Sequence, residues 1–136
     1  MKVRVKYKTI QDMPPESMNL LSNVEMLRRI GCNTEFAPIG TEFVVYGMEI
    51  FEGNLMYYLA NPPDESYPIL CLAALFEIFD PTISQNWECG INGSGHFAIW
   101  PSSWFKISFY HVRLSDGDYD VAKDWQEIRQ LFNAGK

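Results

Sequence analysis

Glu42-Phe43-Val44-Val45-Tyr46-Gly47-Met48-Glu49-Ile50-Phe51-Glu52-Gly53-Asn54-Leu55-Met56-Tyr57-Tyr58-Leu59-Ala60-Asn61 is a pair of apolar-rich runs flanking a glycine–asparagine step. Gly53-Asn54 suits the positive φ angles of a two-residue hairpin turn. With Glu52 opposite Leu55, Ile50 faces Tyr57 and Met48 faces Leu59 on one side. Phe51–Met56 and Glu49–Tyr58 then fall on the other. That alternation predicts a twisted antiparallel pair with one buried face.

Outward from this hairpin, Pro62 to Pro68 reads as a stiff polar loop. From Ile69 to Phe79, alternating Leu70, Leu72, Ala74, Phe76 and Ile78 favour a strand over a helix, and Pro81 ends it. Trp87 to Trp100 reads as a second hairpin around Asn92-Gly93-Ser94-Gly95. Upstream, Lys2, Arg4, Lys6 and Lys8 alternate with Val3, Val5 and Tyr7. This is the pattern of a half-buried edge strand with a solvated basic face.

Helices are expected at both ends. Residues 17–30 carry Leu20, Val24, Leu27 and Ile30 on one face and stop at Gly31. The capping-box form of Ser22-Asn23-Val24-Glu25 allows a later start. Pro101-Ser102-Ser103 opens a segment that reads equally as helix or strand; as a helix it places Phe105, Phe109 and Val112 on one side. Val121, Trp125, Ile128 and Phe132 define a closing helix with acids crowding its first turn. The expected fold is a single α+β domain over residues 1–136. It has an antiparallel sheet of about five to six strands packed with N-terminal and C-terminal helices.

Charge is unevenly spread. The chain carries −6 overall, yet Lys2, Arg4, Lys6 and Lys8 supply four positive charges at its start. Between Ile30 and Phe105 there is no lysine or arginine, whereas Glu35, Glu42, Glu49, Glu52, Asp64, Glu65, Glu77, Asp80 and Glu88 all fall there. Folded into one surface, these acids would repel nucleic acid and anionic membrane and attract a basic protein. The longest apolar run, Ile69 to Phe76, is too short to span a bilayer, and the basic start has no apolar segment of a signal peptide behind it. Cys32, Cys71 and Cys89 are odd in number and lack zinc spacing, so a reducing cytoplasm is the expected compartment.

Counted from Asp116, the run Asp116-Gly117-Asp118-Tyr119-Asp120 with Asp124 and Glu127 has the carboxylate spacing of a calcium loop. Val121 stands where that loop needs glycine, so the acids are expected to cap the closing helix and no metal is assigned. Gly93-Ser94-Gly95 lacks the length and the lysine of a phosphate loop. Cys89 and His96 flank one hairpin, but no cation nearby activates the thiol, and His111 is the only other imidazole. No catalytic residue and no cofactor are therefore assigned. If rings among Trp87, Trp100, Trp104 and Phe105 reach the surface, they are interface anchors rimmed by Asp80 and Glu88.

Leu75-Phe76-Glu77-Ile78-Phe79-Asp80, Pro101-Ser102-Ser103-Trp104-Phe105 and the acidic lead into the closing helix give the chain a familiar cast. It resembles the immunity proteins that neutralise bacterial polymorphic or contact-dependent toxins. The resemblance implies a non-catalytic cytoplasmic antitoxin that binds a cognate toxin domain and blocks its active site. Charge makes that toxin basic, and the candidate contact residues are Asp80, Glu88, Trp104, Asp116, Asp118 and Asp120. Two other classes compete. One is a small metabolite-binding domain or enzyme whose sheet face offers Tyr46, Tyr57 and His96, and the other is an adaptor subunit.

Overall fold

A computed structural model describes residues 1–60 and 65–134. Its strands are β1 (Lys2–Val5), β2 (Glu42–Val44), β3 (Gly47–Phe51), β4 (Asn54–Ala60), β5 (Pro68–Leu72), β6 (Phe76–Asp80), β7 (Trp87–Ile91) and β8 (Phe97–Pro101). Its α-helices are α1 (Pro15–Met18), α2 (Val24–Arg29), α3 (Ser102–Lys106), α4 (Tyr110–Ser115) and α5 (Tyr119–Ala134). The class is α+β, as expected. The strands divide between two antiparallel sheets, one of five in the order β5-β4-β3-β8-β7 and one of three in the order β2-β1-β6. Among the described residues no helix is long and apolar enough to cross a membrane.

Two expected strands are each split between the sheets. Residues 42–44 pair in the small sheet and residues 47–51 in the large one, with Val45-Tyr46 carrying the chain across. The strand expected over residues 69–79 breaks in the same way, at a 3-10 turn formed by Ala73–Leu75. The expected strand end at Asn61 and the loop positions 62–64 lie outside the described residues.

The β3–β4 register is two residues off the expected one. Phe51 faces Asn54, Ile50 faces Leu55 and Met48 faces Tyr57. The turn residues are Glu52 and Gly53, with φ of 50° and 78°. Asn54 is withdrawn from the turn because its amide is bonded to Ser22 instead. Nor does β4 have a single buried face. Met56, Tyr57 and Leu59 join one core with Val3, Val5, Leu27 and Leu75. Tyr58 and Ala60 join a second with Trp100, Trp104, Val121 and Trp125. Burial on both sides explains why this strand is apolar almost throughout.

The N-terminal helix is two short ones, because Asn23 adopts a left-handed φ of 51° between them. α2 starts at Val24, the later start that the sequence allows, but its N-cap residue Asn23 makes no side-chain cap bond. β1 alternates buried valines with half-exposed cations as expected, but it is the middle strand of its sheet rather than an edge. Between β8 and α5 the chain is helical and again broken, with Ile107 extended and Phe109 left-handed at φ 57°. The break turns Tyr110 and Leu114 inward beside Trp104, leaving Phe109 and Val112 exposed. The closing helix is as expected, burying Val121, Trp125 and Ile128.

Candidate functional site

The β7–β8 loop builds the polar part of the site. Asn92 donates its backbone N–H to the His96 carbonyl at 2.9 Å, and Gly95 donates back to the Asn92 carbonyl at 2.9 Å. Asn92 Oδ1 accepts from the backbone N–H of Ser94 and of His96, each at 3.0 Å. With its oxygen occupied inside the loop, the Asn92 amide has only Nδ2 to offer outward. Nδ2 donates to Glu49 Oε1 at 2.8 Å.

Glu49 is a carboxylate in the middle of β3 and is only 6% exposed. Its Oε1 also accepts the Tyr58 hydroxyl at 2.9 Å, and its Oε2 lies 3.1 Å from His96 Nδ1. A carboxylate has about four acceptor positions. Among the described residues three are taken, and the one remaining is on Oε2. Burial and the neighbouring Glu49 push the Tyr58 hydroxyl far above its ordinary pKa, so it stays a donor.

Glu49, Tyr58 and Asn92 form part of the wall of a cleft of about 650 Å³ between the large sheet and the α3–α4 segment. Trp100, Trp104, Phe105, Phe109, Tyr110 and His111 supply its aromatic wall. His111 stacks on Tyr58 with ring centroids 4.9 Å apart and planes 7° from parallel. Burial pulls the His111 pKa down to about 4, so its ring is neutral at physiological pH. Trp100 Nε1 and His111 Nε2 are buried and have no hydrogen-bond partner among the described residues. Among the described residues, no lysine or arginine lines the cleft, and Lys106 beside it is exposed and off the wall.

The wall is braced from behind. Asp124 of α5 accepts the Ser103 and Tyr110 hydroxyls, each at 2.7 Å, which ties α3 and α4 to α5. Gly47 lies so close to Trp104 and Trp100 that an added Cβ would sit 2.9 Å and 3.0 Å from their rings. The aromatic wall is therefore packed directly on the β3 backbone.

The expected contact residues are scattered over separate elements. Asp80 ends β6 and Glu88 lies on β7, while Asp116, Asp118 and Asp120 occupy the α4–α5 junction. Asp118 Oδ1 caps α5 through the N–H groups of Asp120 and Val121, and its Oδ2 takes Arg113 Nε at 3.0 Å. The Arg113 bond leads the interactions that hold the Asp118 carboxyl below its usual range. Trp104 is only 2% exposed, so it forms cleft wall rather than a protruding anchor.

Several acids of the cation-free stretch lie against cations or are buried instead of standing free on one face. Because β1 is the middle strand, Arg4 lies opposite both Glu42 and Glu77, and Lys2 lies opposite Asp80. Arg4 Nε is 3.6 Å from Glu77. Glu65 pairs with Arg129 at 2.9 Å, and Glu49 is buried.

Tyr46 and Tyr57, expected on a binding face, are core residues at 4% exposure each. The neighbouring Tyr58 takes that place. Cys89 is exposed, whereas His96 is engaged with Glu49. Glu49, Tyr58, Asn92 and His111 were not singled out from the sequence as a site. The signal for Glu49 was present, as a lone acid among Val44, Val45, Tyr46, Met48, Ile50 and Phe51.

The chain matches no known family model, no curated protein and no solved structure.

Proposed function

We propose that this chain is a non-catalytic immunity protein that binds and neutralises a cognate, basic bacterial toxin domain. The observation that carries the reading is the cleft, where a buried carboxylate faces an aromatic wall without a single cationic lining residue among those described. Such a site favours a positively charged group over a negative or neutral one. The net charge of −6 adds a long-range field of the same preference. Because β1 lies across Glu42, Glu77 and Asp80, short-range recognition belongs to the cleft and not to a broad acidic face.

The test is co-expression with the toxin domain encoded in the neighbouring reading frame. Growth arrest by that domain should be relieved by this chain. Association of the purified pair should slow severalfold between about 0.05 and 0.5 M salt, as screening shortens the reach of the charges. No rescue, or an on-rate indifferent to salt, would remove the basis of the proposal.

A second reading, as a small-molecule-binding domain, is favoured by one observation. The cleft volume of about 650 Å³ falls within the range of small-molecule sites. Saturable binding of a metabolite in the cleft, with no protection against the toxin, would select this reading.

A further inference from the structure

We infer that the cleft is a receptor for one guanidinium or ammonium head, and that Glu49 Oε2 is its anchoring atom. In the setting of the proposed function, on which the source of the ligand rests, that head belongs to an arginine or lysine side chain of the partner. Glu49 is almost completely enclosed, yet it forms part of the cleft wall. Tyr58 and Asn92 fill both positions on Oε1, and His96 fills one on Oε2. A group entering the cleft therefore meets on Oε2 an acceptor already oriented by three side chains. Only a donor can take it, and a cationic donor gains most from a carboxylate in a site shielded from water.

The walls suit the same ligand. Tyr58, Trp100, Trp104 and Phe105 belong to the same cleft wall as Glu49, and a cation held over an aromatic ring is stabilised by its quadrupole. A guanidinium plane can stack there while donating to Oε2. Phe109 stands at the lip with 79% of its surface exposed and its backbone left-handed at φ 57°. A large exposed ring that also lines the cleft is a further contact for a ligand there.

The experiment titrates the whole chain with N-acetyl-arginine methylamide, its lysine counterpart and the neutral isostere N-acetyl-citrulline methylamide. Binding is followed by the amide and indole resonances. The expected result is saturable binding of the two cations with a Kd on the order of millimolar, as suits a ligand of this size. The Trp100 and His96 signals should shift, and citrulline should bind at least about tenfold more weakly. Glu49→Gln should weaken arginine about tenfold or more, its fold being verified by the amide spectrum. Phe109→Gly, which relieves the left-handed backbone and removes the ring, should weaken arginine while keeping the fold.

Equal binding of arginine and citrulline, shifts confined to another surface, or a Glu49→Gln protein that binds like the parent would overturn the inference. The two proposals fail separately. If Glu49→Gln abolishes arginine binding but the parent chain gives no protection against the toxin, the cleft stands as a small-cation site and the immunity reading falls. If the parent chain protects and does not bind arginine, the immunity reading stands and the inference falls.

Discussion

Asn54 and Ser22 are joined through both ends of the Asn54 amide. The Ser22 N–H donates to Oδ1 at 2.9 Å, and Nδ2 donates to the Ser22 carbonyl at 2.7 Å. Nδ2 also reaches the Glu52 carbonyl at 3.3 Å. This clasp pins the segment between α1 and α2 to the tip of the β3–β4 hairpin. It also takes Asn54 out of the turn. Gly53 packs against the same serine, with an added Cβ only 2.9 Å from its Oγ.

Asn54→Ala removes this clasp from a residue that is 4% exposed. Each bond is worth about 1 kcal/mol net, so a loss of about 2 kcal/mol is expected. Urea denaturation should show a lower midpoint with an unchanged slope. A midpoint equal to the parent's would mean that water replaces the clasp at no cost.

Gly47→Ala forces a methyl group to within 3.0 Å of both Trp104 and Trp100. Neither indole is at the free end of a flexible chain, so the β3 backbone or the aromatic wall must shift. Overpacking of this kind costs about 1–3 kcal/mol. Thermal unfolding should show a lower Tm, and tryptophan emission of the folded protein should change with the packing.

His111 makes stability depend on acid. Its pKa is pulled down to about 4 by burial, against about 6.5 in the unfolded chain. Between those values only the unfolded state holds the extra proton. The stability is therefore fully present above pH 6.5 and is lost as pH falls towards 4. The loss amounts to about 3 kcal/mol at most. His111→Phe cannot titrate, so the difference in unfolding free energy between parent and variant should shift by that amount between pH 7.5 and 4. A parallel pair of pH profiles would show that His111 is open to water.

The frame of the fold was legible where one signal acted alone. Val121, Trp125 and Ile128 recur at helical spacing, and nothing outside the segment competes with them, so α5 is where the pattern puts it. The two hairpins were legible from their glycines. The β3–β4 register was not, because Asn54 answers to Ser22, thirty-two positions away in sequence. The break at Phe109 was hidden for a related reason, since a phenylalanine gives no sign of a left-handed backbone, and Asn23 gives only a weaker one than glycine.

The site was less legible than the fold. Glu49 looks like one acid of nine until Asn92 and His96 are brought to it by the β3–β8 pairing. Counting charges along the chain also misled, because Arg4 and Glu77 are far apart in sequence but opposite one another across strands. Alternation predicted the solvated face of β1, but it carries no information about which strands flank it.

The position of β1 has a practical side. Residues 2–5 hold β2 on one side and β6 on the other, so trimming the amino end removes the keystone of the small sheet rather than its fringe. Val3 and Val5 would vanish with it from the first core. A handle for purification or imaging therefore belongs on the carboxyl side of α5, where the last described turn leaves Leu131 and Ala134 facing water.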